Sequence, residues 1–252
     1  MWFDTHCHLT GLSDDVDAAL ALAREQQVDQ VVTVGCTVED SAAGAELAST
    51  FDQVWATAGV HPHEAGSGTA GLEHLLDQRR VVAVGECGLD YHYNYAPAQA
   101  QKLAFSAQIE LANRRNLALV IHCRDAWDDA FEILDREGMP SRTVFHCFTG
   151  GIAEASMVIE RGGYVSFSGI VTFRSADSLR EAAKTVPLNR VVIETDAPYL
   201  APEPRRGKPN TPGNVAIVGE YLAELLAVDV DEFAAQTTSN ALTLFGIGTD
   251  AD

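Results

Sequence analysis

Residues 117–137 read LALVIHCRDAWDDAFEILDRE. A β-rich run, LALVIHC, ends in a histidine and a cysteine, and a stretch of helical character, DAWDDAFEILDRE, follows it. This strand-then-helix unit recurs outward in both directions. Further β-rich runs end near WFDTHC (2–7), QVVTVGC (30–36), VWATAGV (54–60), VVAVGE (81–86), TVFHCF (143–148), YVSFSG (164–169) and VVIETD (191–196), which makes eight. Alanine- and leucine-rich stretches such as DDVDAALALAREQQ (14–27) and PAQAQKLAFSAQIELANRR (97–115) alternate with them. Eight strands alternating with helices over 252 residues predict an α/β chain with a (β/α)8 TIM-type barrel. The expected organisation is a single domain over 1–252, with one or two extra helices between Thr211 and Phe245. An open doubly wound sheet fits less well, because no GxGxxG turn follows the first run.

Composition narrows the function. Hydrophobic residues at 46% and charged residues at 21% are ordinary for a globular chain, but the net charge of −19 is not. It opposes diffuse attraction to nucleic acid or to an anionic membrane, both of which run on lysine and arginine. An anionic substrate then needs a local site, and a metal supplies such charge. Five cysteines without a CxxC pair fit a reduced compartment better than a disulfide framework. No apolar run approaches transmembrane length, and the start MWFDTHCHLT has neither a basic nor an apolar leader region. The expectation is a cytoplasmic protein with no membrane contact and no obligate protein partner.

The candidate chemistry gathers at the ends of the runs. In FDTHCH (3–8), side chains two apart on a strand share a face, so His6 and His8 aim one way and Cys7 the other. His61 ends the third run, Glu86 the fourth, His122 the fifth, His146 the sixth and Asp196 the eighth. Functional groups of such barrels collect at the carboxyl ends of the strands, and each of these residues is a metal ligand or acid–base group by type. Cys7, Cys87, Cys123 and Cys147 each follow a proposed ligand by one position. Alternation turns them toward the helices as small buried hydrophobes, and Cys36 receives no role. Val84, Val120 and Val144, two residues behind ligands, are expected to fill the interior. Asp4 and Glu194 break that rule behind His6 and Asp196. They are expected either to accept an imidazole N–H and fix its tautomer or to form a structural polar pair.

In combination the motifs resemble the TatD-like metal-dependent deoxyribonucleases, which are amidohydrolase-type barrels. They are THCHL (5–9), GVHPHE (59–64), GECGLDYH (85–92), IHCRDA (121–126), FHCFTG (145–150), SFSG (166–169) and ETDAPYLAP (194–202). The resemblance runs from near residue 1 to about residue 245. It implies a hydrolase with two divalent ions that trims DNA from single-stranded or exposed ends. It also implies that His6, His8 and Asp196 hold one ion, that His122 and His146 hold the other, and that Glu86 bridges them. A carbamylated lysine, the other bridge used by such barrels, does not fit, because Lys102 and Lys184 sit in helical stretches and Lys208 in a loop. Four imidazoles suit zinc or manganese, whereas the resemblance implies magnesium or manganese, so Mg, Mn and Zn all stay open. Asp196 and Glu86 are the expected catalytic carboxylates, with Asp196 able to take a proton from water.

Substrate contacts are expected from His61, from Arg124, and from Arg206 and Lys208 in the basic loop APEPRRGKPNTPGN (201–214). Tyr91 and Tyr93 are candidates for base stacking or for packing, while His63, His74 and His92 read as surface or loop residues. The same site also suits an ester or amide hydrolase, including D-aminoacyl-tRNA deacylation. A purely structural metal protein fits less well, because six candidate ligands with a bridging carboxylate exceed a closed four-ligand site.

Overall fold

β4 (Val81–Asp90) and β1 (Trp2–Cys7) are buried along their whole lengths, as parallel strands covered on both faces must be. The computed structural model describes residues 1–12 and 15–248. The remaining strands are β2 (Val28–Thr33), β3 (Val54–Ala58), β5 (Ala118–Arg124), β6 (Thr143–Phe145), β7 (Tyr164–Phe167) and β8 (Val191–Ile193). The helices are α1 (Val16–Glu25), α2 (Val38–Thr50), α3 (Leu72–Leu75), α4 (Ala98–Arg115), α5 (Trp127–Glu137), α6 (Ile152–Glu160), α7 (Asp177–Ala183), α8 (Val215–Leu226) and α9 (Val230–Phe245). The strands form one sheet in sequence order, and the fold is the expected (β/α)8 TIM type. The tail supplies α8 and α9. Asp14, at the head of the stretch read as helical over 14–27, lies outside the described residues. Among the described residues, no helix is long and apolar enough to cross a membrane.

The chain divides into two compact units. Among the described residues, the first joins Met1–Val32 to His146–Thr243, and the second joins Thr33–Phe145 to 244–248. In the first unit β7 pairs with β8, Val165 opposite Val191 and Phe167 opposite Ile193. Past β8 the chain stays against β1. The Asp196 N–H donates to the His6 carbonyl at 2.9 Å, and the His8 N–H donates to the Ala197 carbonyl at 2.7 Å. Trp2 packs on Phe233 of α9, with ring centroids 6.5 Å apart.

In the second unit β4 pairs with β3 and β5. Its register against β5 shifts between Val84 and Cys87 and then places Gly88 opposite His122 and Asp90 opposite Arg124. Glu86 sits inside that irregularity, the kind of break that re-aims a side chain. Helix α4 buries Phe105, Ile109 and Ala112, and with them two glutamines. The Gln108 side chain accepts the Val60 N–H at 2.8 Å and donates to the Val60 carbonyl at 3.0 Å. Gln101 clips Asp90 in the same way, at 2.8 and 3.1 Å. Buried amides need such partners. The result is that α4 holds the backbone just before His61 and at Asp90.

Gly88 marks the tightest point of this pairing. Its φ is +128°, and a Cβ there would lie 2.0 Å from the His122 carbonyl oxygen. Gly88→Ala is therefore expected to destabilise by about 3 kcal/mol through backbone strain and overpacking, lowering Tm by roughly 10 °C. Calorimetry checks this, and an unchanged Tm would contradict the close approach.

The cysteines follow the expected alternation with one departure. Cys7, Cys87 and Cys123 are buried, with the Cys7 thiol 3.4 Å from the Val32 carbonyl and the Cys87 thiol 3.5 Å from that of Val120. Cys147 is only partly buried, its Sγ 3.3 Å from Ser168 Oγ. Strand β6 stops at Phe145, and Cys147 takes a left-handed φ of 41°, so strand alternation no longer applies there.

Candidate metal centre

The first unit gathers one set of donors. Strand β1 aims His6, His8 follows one residue past its end, and the backbone bonds past β8 bring Asp196 beside both. His8 Nε2 lies 3.3 Å and His6 Nε2 3.7 Å from the same oxygen, Asp196 Oδ1. The His146 ring stacks on that of His6, centroids 3.8 Å apart and 11° from parallel. Ligand atoms of His6, His146 and Asp196 all fall within 4.8 Å of one another.

Asp4 and Glu194 stand behind this set with different jobs. Glu194 Oε1 lies 3.3 Å from His146 Nδ1 and accepts the Cys147 N–H at 2.8 Å. It is placed to fix the tautomer of His146. Asp4 instead holds the backbone next to Asp196. Its Oδ1 accepts the Thr195 N–H at 2.8 Å and its Oδ2 the Thr195 hydroxyl at 2.6 Å. Burial pushes the Asp4 carboxyl well up, against those bonds. Asp196 is held below its ordinary value. Burial acts upward there, but the bond from His8 and the neighbouring imidazoles outweigh it.

The second unit gathers the other set. His61 Nε2 lies 3.3 Å and His122 Nδ1 3.0 Å from Glu86 Oε1, and the three residues form a donor group within 4.8 Å. Behind them lies Asp90, whose Oδ2 is 3.0 Å from His63 Nε2 and 3.1 Å from His122 Nε2. Burial acts upward on Asp90 as well, but the bonds from His122, the Tyr93 N–H and His63 hold it well below the usual carboxylate range.

The tautomers follow from these contacts. A neutral imidazole has one N–H, and His122 gives its Nε2–H to Asp90, so its Nδ1 lone pair faces the Glu86 carboxylate. A lone pair and a carboxylate at that separation share a positive charge, either a proton or a divalent cation. His61 differs. Its Nδ1 accepts the His63 N–H at 3.1 Å, so its Nε2 carries the proton and donates toward Glu86. Burial, the largest influence, holds His61 down to about 4 despite that carboxylate. Imidazole nitrogens and ionised carboxylates are the donors that zinc and manganese favour, and the carboxylates also suit magnesium.

The depressed His61 value has a measurable consequence in the metal-stripped protein. An unfolded imidazole titrates near 6.5, so as pH falls the unfolded chain takes up the proton first. Stability is therefore complete above about pH 6.5 and declines on acidification toward the folded value. Between pH 7 and 5 the loss is about 2 kcal/mol. Urea unfolding of wild type and His61→Gln should show this slope only in wild type, and equal slopes would contradict a buried neutral His61.

The other expected contacts are placed as follows. Arg124 lies over the Tyr93 ring, 5.1 Å from its centroid. Arg206 lies over the Phe173 ring at 3.9 Å, within an exposed loop that also carries Lys208. Lys102 pairs with Asp129 at 2.7 Å, consistent with its place in α4 and not at a strand end. Asp90 and His63 were not singled out by spacing, yet both stand in the second set. The available signal was the parity of Glu86, Gly88 and Asp90 along β4.

Comparison with known proteins follows the same lines. A family model described as TatD related DNase matches residues 3–246. The chain is 41% identical over 252 residues to the metal-dependent hydrolase YcfH of Escherichia coli K12, covering 97% of this chain and 95% of that protein. It is 34% identical over 258 residues to the 3'-5' ssDNA/RNA exonuclease TatD of Shigella flexneri serotype 5b, covering 97% and 99%. Among solved structures it resembles YjjV, a TatD homologue from Escherichia coli K12, with a TM-score of 0.91, 30% identity and 98% of each chain covered.

Proposed function

This chain belongs to the TatD-related DNase family of metal-dependent hydrolases, and from that premise we propose that it hydrolyses phosphodiester bonds at single-stranded or exposed DNA ends with two divalent ions. The observation that carries this is the pair of imidazole–carboxylate sets, each with a buried carboxylate behind a histidine: Glu194 behind His146 and Asp90 behind His122. The ligands are His6, His8, Glu86, His122, His146 and Asp196. The Shigella relative, an exonuclease by name, supports a single-stranded substrate.

Bound divalent ions supply positive charge that polarises the phosphoryl oxygen and makes water more acidic. The protein's own groups do the rest. Asp196, ionised at neutral pH, accepts the proton of the attacking water as general base. His61 donates its Nε2–H to Glu86 and holds that carboxylate in orientation. Asp4 fixes the Thr195 backbone and so the aim of Asp196. Arg124, Arg206 and Lys208 offer local positive charge to a phosphate in a chain of net charge −19.

End-labelled single-stranded DNA, incubated over a panel of Mg, Mn and Zn with and without EDTA, tests the proposal. Metal-dependent shortening is expected, and its absence over the whole panel would overturn it. The acidic composition favours a second reading, a small or locally gripped ester or amide, including D-aminoacyl-tRNA. Arg206→Ala and Lys208→Ala separate the two. Each should raise KM on DNA about two- to fivefold, the worth of an exposed ion pair, and indifference favours the ester or amide.

A further inference from the structure

Two large rings stand in solvent beside the second donor set. Tyr93 is 48% and Tyr95 71% exposed, and they stack on each other with centroids 5.5 Å apart and 22° between planes. Both meet His63 edge to face, at 5.6 and 4.7 Å, and His63 in turn meets His61 at 4.3 Å. The Arg124 guanidinium lies over Tyr93. Tyr91, by contrast, is tied down, its hydroxyl donating to Asp129 at 2.6 Å. The tyrosine free to present a ring beside Tyr93 is therefore Tyr95.

The loop that carries these rings is built onto the donor set by one carboxylate. Asp90 Oδ1 accepts the N–H groups of His92 and Tyr93, each at 2.9 Å, while its Oδ2 receives His63 and His122. Between the rings Asn94 takes a left-handed φ of 53° and donates its side-chain amide to the Tyr91 carbonyl at 2.6 Å. The chain thus turns at Asn94 with its two aromatic neighbours stacked. Exposed rings of this size forgo favourable burial, and a ledge fixed to this donor set is placed for a ligand with its own flat face.

We propose that Tyr93 and Tyr95, with Arg124, form a platform on which unpaired nucleobases stack, selecting single-stranded nucleic acid for the Glu86–His122 set. This rests on the phosphodiesterase reading above and names the part of the substrate that the ledge grips. Duplex bases are already stacked on each other, whereas unpaired bases offer their faces to aromatic side chains, and any base suits.

The test uses the metal-loaded enzyme, a cleavage-resistant phosphorothioate dT decamer, an abasic decamer of the same length, and bis(p-nitrophenyl) phosphate as a diester without bases. In Tyr93→Ala/Tyr95→Ala, Kd for the dT decamer from fluorescence anisotropy should rise about ten- to one-hundredfold. Binding of the abasic decamer and kcat/KM on the base-free diester should stay at wild-type values, and Tyr93→Phe/Tyr95→Phe should restore dT binding. Unchanged dT affinity in the alanine variant would overturn the platform, as would an equal loss on the abasic strand. Failure of the wild type to cleave any diester would overturn the phosphodiesterase reading instead, and the anisotropy comparison would still decide the platform.

Discussion

Asp196→Asn should lower kcat on a single-stranded DNA end by about a thousandfold, within the range that general bases contribute. The amide cannot accept the water's proton. It also replaces a carboxylate on whose Oδ1 both His6 and His8 converge. The variant is expected to fold, because Asp196 holds a left-handed φ of 56° that asparagine tolerates as well as aspartate does. Single-turnover cleavage at saturating metal, with circular dichroism as the folding control, measures the effect. A loss of less than tenfold would remove Asp196 from the proton-transfer role.

Asp90→Asn should produce the next largest effect, on metal affinity. One carboxylate serves four donors: the His63 and His122 rings and the N–H groups of His92 and Tyr93. Asparagine has a single acceptor oxygen. If it serves the two N–H groups, its NH2 faces His122 Nε2 and drives the ring proton to Nδ1, onto the side of Glu86. Losing such a partner behind a ligand typically costs ten- to one-hundredfold in affinity, which isothermal titration with Mn2+ would register. Stability should fall by about 2–3 kcal/mol, the cost of buried donors left unpaired. The sign of the pH dependence follows from the depressed carboxyl of Asp90. Its contribution is present above the unfolded value near 4 and is lost on acidification below it. The asparagine variant should lack that part of the acid transition. An unchanged Mn2+ affinity would show that His122 does not depend on Asp90 for its tautomer.

Much of this architecture was legible in the residues. Strands covered on both faces carry runs such as VVAVGE and LALVIHC, and the polar residue that ends each run stands out against them. Spacing alone put His6 and His8 on one face, and the end of β1 with the residue after it brings both to Asp196. What stayed hidden depends on contacts that no local pattern encodes. His63 lies past the end of β3 in a turn, and its direction is set by Asp90, 27 positions away. The register shift in β4 falls between Val84 and Cys87, so counting forward from Val84 does not give the aim of Glu86. Gln101 and Gln108 look like surface residues of a helix, yet each is buried because a strand end supplies matched donor and acceptor groups. Asp4 is open in the sequence to an imidazole N–H or to structural bonds, and its nearer donors are the N–H and hydroxyl of Thr195. Arg124 is expected to contact substrate, and its immediate partner is a ring. It lies over Tyr93, while Asp125 pairs with His92 at 3.1 Å.

The most direct test of the two-ion site is the metal content of the purified protein, counted by mass spectrometry after dialysis against buffer containing Mn2+. Wild type should retain about two equivalents per chain, and His8→Ala and His122→Ala should each retain about one. Wild type without bound metal, or the same content in all three proteins, would contradict the account.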